Sequence, residues 1–254
     1  MHPVHFTAET SASGVIHRDF TVGAVPGVLW SPASGCGRAP LVLLGHGGGS
    51  HKRAPAMAKR AHRLVTTCGF HAVAIDAPAH GDRPRTAHDE REIAALRRAM
   101  AVGEPAGPIV VRYNVHLAER AVPEWQAVLD ALQELPEIGA DTPIGYFGLT
   151  LGTAIGVSLT AVEPRIAAAV FGMFWHQPLA EAARRITVPV EFVLQWDDEH
   201  VDRRSGLALF DTFSSTEKTL HANAGGHHDL PRFEADSAVR FLARHLRPTG
   251  TSPV

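Results

Sequence analysis

Short apolar runs alternate with helix-period segments along this chain. Leu41-Val-Leu-Leu44 and His71-Ala-Val-Ala-Ile-Asp76 are apolar at nearly every position, the pattern of strands covered on both faces. Between them, Ala54 to Thr67 reads as a helix, with Pro55 tolerated in its first turn. The same reading predicts strands near Val15–Val22, Val25–Trp30, Ile144–Phe147, Ile166–Phe174, Val188–Gln195 and Lys218–Asn223. Helices are predicted near Thr86–Met100, from the Pro123 region to Leu135, and at Leu151–Val162, Leu179–Arg185, Arg203–Phe213 and Phe233–His245. The first two strands form an antiparallel start, turning around Gly23-Ala24; the others alternate with helices. Such alternation implies βαβ units, hence an α/β domain with a mostly parallel, eight-stranded sheet and helices on both faces. One domain is expected over 1–254. Within it, the charged helix and the breaker Gly103-Glu-Pro-Ala-Gly-Pro108 mark 83–123 as a cap or flank, and the tail from Arg247 is expected to fray.

Charge narrows the function. Lys and Arg number 24 against 26 Asp and Glu, a net charge of −2, which argues against a nucleic-acid binder because neutralising phosphates needs a basic face. A 27.2 kDa chain is long enough for one substantial core. Size scaling leaves ~11,000 Å² exposed of ~39,000 Å² in the unfolded chain. Two cysteines, Cys36 and Cys68, make no disulfide framework. Met1 to Ser13 has neither a basic nor an apolar leader region, so a reducing, cytoplasmic location is expected. Ile144 to Val162 is uncharged for 19 residues, yet it holds four glycines and several hydroxyls. It reads as a buried strand, turn and helix, not as a membrane span. Lys52, Arg53, Lys59, Arg60 and Arg63 read as a solvated helix face, and Arg83 and Arg85 as solvated loop charge.

The chemistry gathers at Gly148-Leu-Thr150-Leu-Gly152, between a predicted strand and a predicted helix. A glycine two positions to either side lets the central residue occupy a strained turn that lifts its hydroxyl above the sheet edge. The same turn opens a helix, so the N–H of Leu151 points toward developing negative charge. This arrangement resembles the α/β-hydrolase superfamily, in its dienelactone-hydrolase-like or esterase-like branch. The resemblance covers most of the chain and rests on four separated motifs in the superfamily's order. It implies an α/β-hydrolase fold and hydrolysis of a small carboxylic ester, lactone or thioester, with no cofactor and no metal. The superfamily normally has Ser, Cys or Asp at the elbow; Thr150 keeps the hydroxyl but adds a methyl that stiffens χ1 and crowds a carbonyl. Thr150 is therefore read as a hindered nucleophile, as a hydroxyl donor in a lyase, cyclisation or acyl transfer, or as part of a silent binding pocket.

His46-Gly-Gly-Gly49 resembles the oxyanion loop, which assigns the N–H groups of Gly48 and Leu151 as donors, with Gly47 as competitor. His46 is read as a support of that loop. Beyond Val188–Gln195, the superfamily's acid-x-x-Val register selects Asp198 over its neighbour Asp197. Beyond Lys218–Asn223, the glycine-led Gly226-His227-His228 selects His227 over His228 as base. The order nucleophile, acid, His is that of this superfamily. Trp175 and His176 end a strand at the carboxyl edge of the sheet, where ligands bind, and are candidates for the substrate pocket. The 16 histidines are scattered, without a His-Glu-x-x-His run or a Cys/His quartet, so no metal is expected from spacing.

Overall fold

The computed structural model describes residues 2–35 and 37–247. Cys36 and the tail beyond Arg247 lie outside the described residues. The strands are β1 (Val4–Ala12), β2 (Val15–Val22), β3 (Val25–Pro32), β4 (Leu41–Gly45), β5 (His71–Ile75), β6 (Ile144–Gly148), β7 (Ile166–Gly172), β8 (Val190–Gln195) and β9 (Lys218–Asn223). The helices are α1 (Pro55–Cys68), α2 (Ala87–Val102), α3 (Gly107–Gln133), α4 (Leu151–Thr160), α5 (Ala180–Arg184), α6 (Arg203–Thr212) and α7 (Arg232–Leu246). All strands join one sheet in the order β1-β2-β3-β5-β4-β6-β7-β8-β9. The β1–β2, β2–β3 and β3–β5 pairs are antiparallel; every later pair is parallel.

The period of two along each strand divides the core. Leu41, Leu43, Tyr146, Phe171 and Phe192 pack with Trp125 and Leu129 of α3, Ile155 of α4 and Leu209 of α6. Val42, Leu44, Phe147, Val170 and Val193 face the other way, against Leu64 and Val65 of α1 and Leu242 and Leu246 of α7. Helices therefore cover both faces, and the central parallel strands are buried throughout. The uncharged stretch from Ile144 divides into β6, a turn and α4. Among the described residues no helix is long and apolar enough to cross a membrane.

Three departures from the sequence reading have physical causes. The sheet has nine strands, not eight, because Val4–Ala12 pairs with β2 at the sheet edge. Only Val4 and Phe6 at its start pack on the core, and the rest of the strand is exposed, so the sequence shows too short an apolar face to mark it. Helix α3 begins at Gly107 and not near Pro123, which lies inside it. Pro108 fits its first turn, where an N–H has no intrahelical acceptor, and the lost bond at Pro123 is offset by buried Leu117, Ala121 and Trp125. Lys52 is not solvated: its Nζ reaches Asp76 Oδ2 at 2.6 Å and Asp82 Oδ2 at 2.5 Å. Arg60 lies over the Phe147 ring and Arg63 pairs with Asp236 at 2.6 Å, so part of that helix face is engaged as well.

Segment 83–123 comprises α2 and the first half of α3. Asp89, fully buried, joins them: it completes the capping box with Thr86 and accepts from Tyr113 Oη at 3.2 Å and Arg120 at 3.0 Å. Arg83 is not solvated loop charge: its largely buried guanidinium makes a bidentate pair with Glu124 that fastens the segment's entry to α3. Its breaker reaches over the sheet edge, where a Cβ on Gly107 would stand 3.6 Å from the Trp175 ring.

Candidate active site

Strand order places the site. Moving along the sheet, the chain steps from β4 outward to β5, then crosses back past β4 to β6 on its other side. Helices after β4 and β6 leave on opposite faces, which opens a crevice beyond their carboxyl ends. The loop after β4 is His46-Gly-Gly-Gly49, and the turn after β6 is Thr150. The loops carrying Asp198 and His227 follow the carboxyl ends of β8 and β9 on the same edge.

Thr150 has φ 57° and ψ −118°. For a β-branched residue this is a strained backbone, costing about 1–3 kcal/mol, and such strain collects at functional turns. Close packing holds it. A Cβ on Gly148 would come within 2.7 Å of the Gly152 backbone, and one on Gly152 within 2.6 Å of Gly45 O. Both glycines of the motif are therefore required by backbone contact. The Thr150 N–H donates to Gly172 O at 3.1 Å. Thr153 Oγ1 lies 2.6 Å from the same oxygen and accepts the Gly172 N–H at 2.9 Å. The buried Tyr146 hydroxyl donates to Gly152 O at 2.7 Å, and burial pushes its pKa upward. The turn is thus fixed from below by β7 and from behind by Tyr146.

The Thr150 hydroxyl points at the glycine loop: a Cβ on Gly47 would stand 2.9 Å from Oγ1. That loop is locked by His46. Its Nδ1 meets Gly47 O at 2.9 Å while its Nε2 accepts the Ala77 N–H at 3.0 Å, so the proton resides on Nδ1. Burial pushes the ring down to about 4, which keeps it neutral at ordinary pH. Gly47 O also accepts the Ser50 N–H at 3.2 Å. Because the peptide is planar and trans, the N–H on its other side, that of Gly48, is turned the opposite way. A Cβ on Gly48 would meet nothing within 4 Å, so the loop borders open space at this residue. The Leu151 N–H is the first of α4 and has no intrahelical acceptor.

Asp198 and His227 are in contact: His227 Nδ1 lies 2.8 Å from Asp198 Oδ2, with the carboxylate side chain 2% exposed. Asp198 Oδ1 accepts the N–H groups of His200 and Val201 at 2.8 and 2.9 Å. Asp197 instead accepts the Gly225 N–H at 3.2 Å and ties the two loops together. His228 sits edge-on to the His227 ring, 5.2 Å away between centroids. Among the described residues no hydrogen bond joins His227 to Thr150, an opening common in substrate-free sites.

The structure adds residues that the sequence did not single out. Glu199 Oε2 accepts the His227 N–H at 2.9 Å, and that bond holds the Glu199 carboxyl below its ordinary pKa. Gln195 Nε2 donates to Gly226 O at 3.1 Å. Trp175 is partly buried, edge-on to Phe174, and faces Gly107 of the 83–123 segment. His176 is tied to α6, with its N–H donated to Ser205 Oγ at 2.9 Å and its ring 3.0 Å from Thr212 Oγ1. It anchors the loop that carries Trp175.

A cold-adapted esterase from an Arctic intertidal metagenomic library, solved as a PEG-bound complex, is 32% identical over 96% of this chain and 100% of its own, with a TM-score of 0.76. This chain belongs to the α/β-hydrolase-fold esterases. It is an enzyme of carboxylic ester hydrolysis. Two more distant neighbours share the esterase's fold. Acetyl xylan esterase 1 from Thermoanaerobacterium sp. JW/SL YS485 is 15% identical over 97% of this chain and 89% of its own, with a TM-score of 0.67. The acetyl xylan esterase from Paenibacillus sp. R4 is 15% identical over 96% and 88%, with a TM-score of 0.66. No protein-family model and no curated protein matches the esterase's sequence.

Proposed function

We propose that this esterase hydrolyses small carboxylic esters through Thr150 as nucleophile, His227 as base and Asp198 as its orienting acid. The observation that carries this reading is the strained turn at Thr150, its hydroxyl against the side-chain-free glycine loop, while Asp198 and His227 meet on the same sheet edge. His227 donates Nδ1–H to Asp198, which leaves the Nε2 lone pair to take the Thr150 proton as Oγ1 attacks the carbonyl carbon. The carbonyl oxygen becomes an oxyanion and receives the N–H groups of Gly48 and Leu151. Collapse breaks the bond to the alcohol, which leaves with the proton from His227. Water then gives a proton to His227 and attacks the acyl-threonine, and the acid departs as Oγ1 recovers the proton. Each turnover consumes one water and leaves the enzyme unchanged.

The threonine methyl favours a short acyl group, because attack on a carbonyl tolerates little crowding. A short acyl group is consistent with the acetyl esters named for two of the structural neighbours. Lactones and thioesters of similar size present the same carbonyl and fall within the proposal. The test is hydrolysis of 4-nitrophenyl acetate and 4-nitrophenyl octanoate by wild type and Thr150→Ser. Removing the methyl should raise acetate turnover about tenfold, equivalent to ~1.4 kcal/mol of barrier. Octanoate should gain at least as much. Equal or lower turnover by the serine variant on both esters contradicts the idea that the methyl hinders a nucleophile.

A further inference from the structure

A second cluster lies away from the catalytic edge, in the body of the sheet. Glu191 is the second residue of β8, His221 the fourth of β9 and Glu234 the third of α7. One ligand atom from each lies within 4.8 Å of the other two. Both glutamate side chains are 3% exposed, and His221 is 25% exposed. His221 Nδ1 is 2.8 Å from Glu234 Oε2, but its Nε2 is 3.8 Å from Glu191 Oε2, too far for a hydrogen bond. Among the described residues Glu191 Oε2 accepts one hydrogen bond, from Ser237 Oγ at 3.1 Å. The other oxygen of that carboxyl, Oε1, is buried and has no hydrogen-bond partner among the described residues. Two buried carboxylates thus face one imidazole, and a buried carboxylate oxygen lacking a donor or cation is costly.

We propose that Glu191, His221 and Glu234 bind a zinc ion. One imidazole nitrogen with two carboxylate oxygens is a zinc donor set, whereas calcium and magnesium favour oxygen-only shells of higher number. Ligand bonds of ~2.0–2.2 Å bring tetrahedral ligand atoms to about 3.3 Å apart, so the cluster closes by roughly 1.5 Å through side-chain rotation. The exposed part of His221 leaves a way in for the ion and for a water as fourth ligand. Ser237 holds Glu191 from outside, as an outer partner of a zinc ligand does.

The placement gives the ion a positioning role. His221 and Glu234 bracket the segment 224–231 that carries His227, and β8 runs into the loop of Asp198. A bond shared by β8, β9 and α7 therefore fastens both loops from below.

The experiment uses full-length esterase stripped with EDTA, then dialysed against zinc chloride and analysed for metal. One zinc per chain is expected, with Tm rising by roughly 5 °C when zinc is a hundredfold above Kd. Calcium chloride should give no rise. Glu191→Gln and Glu234→Gln, each checked for fold by circular dichroism without metal, should lose at least about tenfold in zinc affinity. Wild type that takes up no zinc below millimolar concentration overturns the proposal. Zinc that survives Glu191→Gln but is lost in His227→Ala overturns it too, because the ion then sits among His200, His227 and His228.

Discussion

Thr150→Ala is expected to lower kcat/KM for 4-nitrophenyl acetate by about four orders of magnitude or more, with little change in KM or Tm. Loss of a nucleophile removes the covalent route and leaves only binding and oxyanion stabilisation, which retain roughly 10³–10⁴-fold over water. Stability should move little. Alanine still meets the positive φ at residue 150, but the β-branch is gone, and the hydroxyl makes no hydrogen bond among the described residues. The turn is held by backbone bonds to Gly172 and by Tyr146, none of which involve the Thr150 side chain. Steady-state kinetics and a melting curve on the same preparation separate the two effects. Turnover that survives the substitution removes Thr150 from the reaction and with it the nucleophilic mechanism.

Asp198→Asn is expected to lower kcat by roughly 10³–10⁴-fold while leaving KM near its wild-type value. The reason lies in the other oxygen. Asp198 Oδ1 accepts two backbone N–H groups, from His200 and Val201, at 2.8 and 2.9 Å. An asparagine keeps its carbonyl oxygen there, because turning the amide would set its NH₂ against two donors. Its NH₂ then faces His227 Nδ1, 2.8 Å from the position of Oδ2. That nitrogen must accept, so the ring proton moves to Nε2 and the base loses its lone pair. Asp197→Asn is the comparison: among the described residues its carboxylate accepts the Gly225 N–H and is not bonded to His227, so its loss should cost no more than about tenfold. Kinetics of the two variants at one pH measure the difference. A larger loss from Asp197→Asn exchanges the assignments of the two carboxylates.

The central elbow was legible because its geometry excludes side chains. Gly148 and Gly152 stand within van der Waals contact of backbone, so glycine spacing alone marks the turn. Buried parallel strands were legible for a similar reason: covered on both faces, they show as short apolar runs. Strand β1 was not, since only Val4 and Phe6 pack on the core and the exposed residues after them owe their conformation to pairing with β2. The start of α3 was masked by Pro123, whose local cost is outweighed by tertiary packing. Lys52 looked like any surface cation, and only the fold reveals the buried Asp76 beneath it. Burial alone would raise the Asp76 carboxyl; hydrogen bonds from Lys52 and Asp82 outweigh that and hold it below its ordinary value. Glu199 acts on His227 through a backbone N–H, a contact without a sequence signature. Glu191, His221 and Glu234 lie too far apart along the chain for any spacing rule to join them.

The most direct measurement is the site of covalent labelling. Wild-type esterase treated with a small fluorophosphonate should gain one phosphonyl group by intact mass, and peptide mapping should place it on Thr150. Thr150→Ala should gain none, and Asp198→Asn should react far more slowly than wild type, because its His227 no longer takes the proton. An adduct on another residue, or full ester turnover by a protein whose Thr150 stays unlabelled, contradicts the threonine nucleophile.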